Sequence, residues 1–101
     1  PMPPVDADLL TYAEEDVAVA AASTSLTLAN IITNPPPKKV DIFVETAQIR
    51  YRTDGSAASA TVGEVLNPYD RLTLVHPADM WNFRAFRTGG TSANLRVRYR
   101  R

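Results

Sequence analysis

Apolar and polar side chains alternate most regularly near the C-terminal end of the chain, over residues 82–101. There Leu95, Val97 and Tyr99 are separated by arginines, so the apolar residues point to one side and the arginines to the other. A period of two is typical of a β-strand with one buried face. A Gly-Gly pair at 89–90 precedes this strand, and glycine adopts the φ angles of tight turns at little steric cost. The pattern predicts two strands joined by a glycine-rich turn, as a closing β-hairpin.

Weaker alternation predicts further short strands along the rest of the chain. They are expected at about residues 16–22, 26–32, 40–45, 49–52, 60–66 and 71–74. Gly63, inside one of these segments, indicates a bulge or a close approach of two backbones. Seven or eight short strands at roughly 8–12-residue spacing predict an all-β fold, an antiparallel β-sandwich of jelly-roll type.

Proline, glycine and asparagine separate the predicted strands. The three prolines at 35–37 are the firmest break, because proline cannot occupy a central strand. An Asp-Gly pair at 54–55 predicts a tight hairpin turn. A His-Pro pair at 76–77 predicts a break before the last two strands.

Residues 1–12 are predicted to form an extended arm, and residues 13–101 the β-sandwich domain. Three of the first four residues are prolines, which lack the backbone donor that helices and sheets use. The apolar residues of this segment need cover, and they are Val5, Leu9, Leu10 and Tyr12. Two interpretations stay open: a frayed terminal tail, or an arm that docks on a neighbouring subunit.

The composition is that of one small globular domain. The chain has 101 residues, of which 45% are hydrophobic, close to the share of about 45–50% in globular proteins. It holds no cysteine, which excludes a disulfide framework and thiolate metal sites. No apolar run approaches the ~18 residues that cross a bilayer, and the N-terminal sequence does not resemble a signal peptide, so we expect no membrane partner.

The net charge is zero, but the two halves of the chain differ in sign. Residues 1–50 hold seven acids and three bases, whereas residues 51–101 hold four acids and eight arginines, giving −4 and +4. Either acidic and basic strands pair across one sheet, or the acidic part of one copy docks on the basic strands of another. Cross-strand ion pairs are ordinary sheet stabilisers, which favours the first interpretation.

The residues that catalysis or metal binding needs are few. His76 is the single histidine, so carboxylates would have to supply nearly all other ligands of a transition-metal site. No serine lies in a nucleophile-elbow pattern, and no phosphate-binding or dinucleotide motif is present. We therefore expect a protein that is not an enzyme and has no metal site and no cofactor.

Arginines on or beside predicted strands are the strongest positive feature. They are Arg50, Arg52, Arg84, Arg87, Arg96, Arg98 and Arg100, with Arg101 at the end. Interleaved aromatic residues would suit nucleic acid, but few lysines and zero net charge do not. Arginine also suits carboxylates at protein interfaces, so we expect a protein partner and no nucleic acid. Trp81 is either a packed core or rim residue or an interface anchor.

The second half of the chain also carries four motifs built from strands and turns. They are IRYRTDG, TVGEVL, PYDRLTL and NFRAFRTGG, at residues 49–55, 61–66, 68–74 and 82–90. Together they resemble the small structural proteins encoded in the virion modules of tailed phages, and the resemblance covers about residues 47–101. It implies a β-sandwich component of the virion, first of all a trimeric capsid decoration (cement) protein on the major capsid protein.

The resemblance implies where such a protein would make contact. The N-terminal arm would clamp neighbouring capsid subunits, and the strand arginines would meet an acidic capsid surface. The residues predicted to bind the capsid or a neighbouring subunit are Val5, Leu9, Leu10, Tyr12, Trp81, Arg84, Arg87, Arg96, Arg98 and Arg100. The protein would be made in the host cytoplasm and would end on the capsid surface.

Other functions stay open. Related folds also serve in head fibres, tail fibres and baseplates, as modules that bind protein or glycan. In a carbohydrate-binding module, Trp81 and Tyr69 would be exposed stacking platforms. In a nucleic-acid-binding β domain, affinity would fall steeply with salt concentration.

Overall fold

The structure, a computed structural model, describes residues 10–33 and 35–101, over which the chain forms seven β-strands and two short α-helices. In chain order they are β1 (Thr11–Val19), α1 (Leu28–Ile31), β2 (Lys39–Glu45), β3 (Ile49–Arg52), β4 (Glu64–Leu66), β5 (Arg71–Leu74), α2 (Pro77–Asn82), β6 (Arg84–Arg87) and β7 (Ala93–Arg100). Val5 and Leu9 of the predicted arm lie outside the described residues.

The strands form two antiparallel sheets that enclose one core. The four-stranded sheet has the order β1-β7-β2-β5, and the three-stranded sheet has the order β4-β3-β6. The predicted all-β sandwich is therefore confirmed. The central pairing of β7 with β1 and β2 joins the two ends of the sequence, so most of the fold depends on non-local contacts.

The core lies between the sheets and is made by the alternation of side chains. In the four-stranded sheet, Val40 and Ile42 of β2 lie opposite Tyr99 and Val97 of β7, and all four are buried. Ile49 of the three-stranded sheet is fully buried and belongs to the same cluster. Burial of such a side chain contributes about 1.5–3 kcal/mol, so burial decides which face of each strand points inward.

The first strand differs from its prediction. The sequence predicted a strand at about 16–22, but β1 begins at Thr11, so Tyr12 belongs to the sheet and not to the arm. Tyr12 packs against the core, and its hydroxyl donates to the Asn30 carbonyl at 2.7 Å. The Arg101 guanidinium lies 4.0 Å from the centre of the Tyr12 ring. The cover that Tyr12 needs therefore comes from its own domain.

A helical turn, α1, replaces the strand predicted at about 26–32. A polar network holds it against β1. Glu15 accepts hydrogen bonds from Thr27 Oγ1 at 2.7 Å and from Asn30 Nδ2 at 3.0 Å. The hydroxyl of the buried Tyr99 also donates to Glu15, and burial together with this bond raises the pKa of Tyr99. These contacts join residues far apart in the sequence. The alternation of apolar and polar residues within 26–32 therefore could not indicate them, and it predicted a strand instead.

The last two strands do not form the predicted hairpin. β6 belongs to the three-stranded sheet and β7 to the four-stranded sheet, so the Gly-Gly turn at 89–90 crosses between the sheets. β6 pairs with β3, whereas β7 pairs with β1 and β2. Leu95, Val97 and Tyr99 nevertheless share the buried face, as predicted. Alternation determines which face is buried and leaves the partner strand open.

Two segments predicted as simple turns carry more structure. The His-Pro pair at 76–77 begins α2, where His76 Nδ1 accepts a hydrogen bond from the Ala78 amide at 3.2 Å. Proline suits the first turn of a helix because its missing amide donor has no helical partner there. The Asp-Gly pair at 54–55 does not close a tight hairpin, because β3 and β4 are joined by the whole segment 53–63.

Gly63 lies at a close approach of two backbones, one of the two alternatives that the sequence predicted. Its φ is +126°, and a Cβ at this position would lie 2.8 Å from the Tyr51 carbonyl oxygen. Side chains other than glycine rarely adopt this backbone conformation and would collide with β3. Gly63 therefore allows the backbone before β4, the edge strand of the three-stranded sheet, to lie close to β3.

Candidate functional site

The outer face of the four-stranded sheet carries acids and arginines that pair with one another. We call it the paired face. Its ion pairs are Arg98–Glu14 at 3.0 Å, Arg96–Glu45 at 2.7 Å and Arg100–Asp41 at 3.4 Å. Exposed pairs of this kind contribute about 0–1 kcal/mol each to stability.

The strand register explains this pairing. Glu14 lies directly opposite Arg98, and Asp16 lies opposite Arg96, along the β1–β7 ladder. On the other side of β7, Asp41 of β2 lies opposite Arg98. The basic row of β7 is therefore flanked by acids. The interpretation that acidic and basic strands pair across one sheet is confirmed for β1 and β7.

Arg96, Arg98 and Arg100, which the sequence predicted as partner-binding residues, thus have carboxylate partners inside the domain. The side chains of Arg96 and Arg98 remain 66% and 64% exposed. A protein partner would have to compete with ion pairs that already exist. The role of these arginines in binding stays a prediction, and the existing ion pair of Arg96 makes it a weaker candidate for binding than an arginine without a carboxylate partner.

The outer face of the three-stranded sheet has a different composition. Ile49 and Ala85 point into the core, so alternation turns Arg50 and Phe86 outward, where they lie opposite each other. The exposed Val65 of β4 pairs with Arg50 and completes this row. Guanidinium and apolar groups therefore lie side by side on this surface.

Arg52 and Arg84 are direct neighbours across the β3–β6 ladder, which places two positive charges side by side. Like charges in this arrangement destabilise a sheet. Asp54 offsets part of the repulsion through an ion pair with Arg52 at 2.6 Å. The Ser56 amide, and secondarily Arg52, hold the pKa of Asp54 below its usual range. No ion pair among the described residues includes Arg84.

Arg50 uses its guanidinium to hold the connection between β3 and β4. It donates to the Ala60 carbonyl at 3.1 Å and to the Gly63 carbonyl at 2.8 Å, so its positive charge is fixed in place without a carboxylate. We call this surface the arginine face, and it consists of Arg50, Arg52, Val65, Arg84 and Phe86. Arginines beside apolar and aromatic groups are typical of protein interfaces, and here they suit an acidic partner.

The remaining predicted site residues that the structure describes lie on separate parts of the molecule. Leu10 is 73% exposed and exchanges two backbone hydrogen bonds with the last residue of the chain. Trp81 lies on α2 and is 45% exposed. Arg87 donates to Ser92 Oγ at 3.3 Å, across the turn between the sheets, while Arg84 belongs to the arginine face. Over residues 10–33 and 35–101, the predicted residues are not brought together on one surface.

Four residues of the arginine face were absent from the predicted site, namely Arg50, Arg52, Val65 and Phe86. The sequence did carry a signal for three of them, because alternation in IRYR turns Arg50 and Arg52 to one side, and alternation in RAFR turns Phe86 to the same side as Arg84. The missing information was the pairing of β3 with β6. Only that pairing brings Arg52 beside Arg84.

We compared the chain with known protein families, proteins and structures. No protein-family profile, curated protein or solved structure matches the chain. Over the described residues, neither α1 nor α2 is long and apolar enough to cross a membrane.

Proposed function

We propose that this chain is a non-enzymatic structural protein of a tailed-phage virion, of the capsid decoration type, which binds the outer capsid surface and stabilises the head. The observation that carries the proposal is the arginine face, a sheet surface whose like charges are only partly offset by Asp54 and lie beside apolar groups. The strand and turn motifs between residues 47 and 101, which resemble those of small virion proteins, support the assignment to a virion.

An acidic partner would relieve the strain that the arginine face carries. The neighbouring positive charges of Arg52 and Arg84 repel each other in the free protein, and a capsid carboxylate placed between them would satisfy both. Phe86 and Val65 add apolar contact beside the charges. A rigid sheet presents these groups with little loss of conformational freedom on binding.

The N-terminal segment would supply the second contact. Since β1 begins at Thr11, the arm consists of the residues before it, which hold Asp6 and Asp8 among apolar residues. In the proposed trimer each arm clamps a neighbouring capsid subunit. Many copies on one symmetric shell make weak single contacts sufficient through avidity.

Binding to capsids that lack this protein tests the proposal. Arg84→Gln removes a charge of the arginine face, and we expect it to weaken co-sedimentation with capsids roughly tenfold, because charge pairs at interfaces commonly contribute that much. Arg96→Gln is the matched control, since it removes an exposed arginine from the paired face. We expect this variant to bind as the parent protein does.

The opposite pattern would contradict the proposal. Binding that Arg96→Gln weakens and Arg84→Gln does not would assign the contact to the paired face. Capsids that take up none of the protein would remove the decoration role. Light scattering measures the oligomeric state separately from capsid binding. A mass other than that of three chains would contradict the trimer and leave the decoration role standing.

A further inference from the structure

Tyr69 combines two properties that are rarely found together. It is 76% exposed, and its φ is +72°, in the left-handed region that favours glycine. The residue occupies the third position of the turn 67–70, which the Asp70 amide closes by donating to the Asn67 carbonyl at 3.0 Å. A turn with proline second and a positive φ third normally has glycine or asparagine at that third position. The chain therefore retains an exposed aromatic ring at a place where a smaller residue would be less strained.

The surrounding backbone holds this conformation. The Tyr69 amide donates to the Val44 carbonyl at 2.7 Å, and the Val44 amide donates to the Asp70 carbonyl at 3.0 Å. These bonds attach the turn to the end of β2. The Tyr69 ring centre lies 6.2 Å from that of Phe43, whose side chain is on the paired face. The backbone of residue 69 is thus held at one corner of that face, with its ring beside that of Phe43.

An open cleft of about 500 Å³ adjoins this corner. Its wall includes Phe43, and the Arg71 guanidinium lies 4.7 Å from the centre of that ring. Asp41 and Glu45 also line it; Glu45 is held by its ion pair with an arginine of β7, and Asp41 accepts a hydrogen bond from Thr73 Oγ1 at 3.0 Å. Carboxylates and guanidinium groups have more acceptor and donor positions than one ion pair uses. The cleft therefore offers fixed acceptors and donors beside an aromatic platform.

The chemistry of this surface selects its ligand. The four acids of the paired face, Glu14, Asp16, Asp41 and Glu45, nearly balance its arginines, and three of those arginines form ion pairs with them, so the face has little excess charge to attract an acidic or a basic macromolecule. Hydroxyl groups can bond to both kinds of charged group without breaking the pairs, and the apolar face of a sugar ring can pack on tyrosine. We propose that the corner formed by Tyr69, Phe43 and the adjoining cleft is a binding site for a neutral saccharide chain.

This site is distinct from the arginine face and lies on the other sheet. It also excludes Trp81, the other aromatic platform considered from the sequence, because Trp81 lies on α2 and is not among the described residues that line the cleft. Trp81 is therefore a matched control: an exposed aromatic residue outside the proposed site.

A saccharide array tests the proposal. Purified protein is applied to neutral hexose and N-acetylhexosamine oligosaccharides, and sialylated and sulfated oligosaccharides serve as the charged set. We expect binding to members of the neutral set, followed by calorimetry with the strongest of them. Tyr69→Gly should weaken that binding by up to about tenfold, since an aromatic stacking contact contributes up to about that much to affinity. Trp81→Ala should leave the affinity unchanged.

Thermal unfolding of the same variants separates binding from folding. Glycine accepts the backbone conformation of residue 69, so Tyr69→Gly should not lower the unfolding midpoint. A clear fall of the midpoint would make Tyr69 a structural residue and overturn the proposal. Binding to charged saccharides alone, no saccharide bound at millimolar concentration, or equal affinity of Tyr69→Gly would also overturn it. If Tyr69→Gly lost capsid binding instead, the corner would belong to a protein contact.

Discussion

The two outer faces of the sandwich use arginine in opposite ways. On the paired face, each arginine of β7 has an ion-pair partner on a neighbouring strand. On the arginine face, Arg52 and Arg84 lie opposite each other, and Asp54 beyond the end of β3 pairs with Arg52 alone. β3 and β7 have the same alternation of arginine with apolar or aromatic residues. The arginines of β7 are nevertheless paired with acids, whereas those of the arginine face are available to an acidic partner.

The difference shows that an arginine-rich strand is not by itself a binding strand. β7 has the longest run of alternating arginines in the chain, and its charges contribute to holding β1 and β2 beside it. The shorter strands β3 and β6 carry fewer arginines, but their pairing places Arg52 and Arg84 side by side with a single carboxylate, Asp54, which pairs with Arg52. The neighbouring strand, rather than the number of charges, decides whether arginine stabilises the fold or is available to a partner.

Removing the edge of the arginine face should have the largest effect on stability. In Gly63→Ala, the new Cβ would lie 2.8 Å from the Tyr51 carbonyl oxygen, at a φ of +126°. We expect the free energy of unfolding in urea to fall by about 2–4 kcal/mol, with loss of capsid binding. Gly89→Ala is the control, because nothing lies within 4 Å of a Cβ there. Equal behaviour of the two variants would show that β4 does not depend on the close approach.

Alkaline pH should weaken both sheets, through one tyrosine in each. Burial, and then the bond to Glu64, raises the pKa of Tyr51 to about 12, from an ordinary value of 10.0. Burial and Glu15 also raise the pKa of Tyr99. The folded chain holds these protons more tightly than the unfolded chain, so the stabilisation is complete below pH 10 and is lost as the pH rises through 12.

Unfolding midpoints measured between pH 8 and pH 12.5 test this dependence. Tyr51→Phe should reduce the decline by removing the group of the three-stranded sheet, and the rest of the decline should persist through Tyr99. A midpoint that stays constant up to pH 12 in the parent protein would contradict the expectation.

Reversing a charge on the paired face should destabilise the protein moderately. In Arg98→Glu, the new carboxylate faces Glu14 on one side and Asp41 on the other. We expect a loss of about 1 kcal/mol, because an attractive set of cross-strand neighbours becomes repulsive. Chemical denaturation at low ionic strength measures it, and Arg98→Gln should show a smaller loss.

Reversing a charge on the arginine face should have the smallest effect, with the opposite sign. Arg84→Glu converts the like-charge pair with Arg52 into an attractive one. We expect a gain of about 0.5 kcal/mol in the free energy of unfolding, while capsid binding falls. A loss of stability comparable to that of Arg98→Glu would mean that the two faces do not differ electrostatically.

Much of the local structure followed from the sequence alone. Alternation identified β2, β3, β5 and β7 and the side chains that they bury, because burying one face of a strand is a local requirement that each segment records in its own residues. Gly63 was identified for a similar reason, because a glycine inside a strand indicates a position where a side chain would not fit. The arginines of both faces were visible in the same way.

Only the tertiary structure decided which strands are neighbours. Alternation says nothing about the partner of a strand, and the glycine turn at 89–90 fits a crossing between sheets as well as it fits a hairpin. The helical turn α1 was wrongly predicted as a strand for the same reason. It is held by Glu15, which Tyr99 in turn contacts, and both residues are distant from it in the sequence. Pairing depends on contacts between residues far apart in the sequence, and these contacts made one row of arginines structural and left the other open.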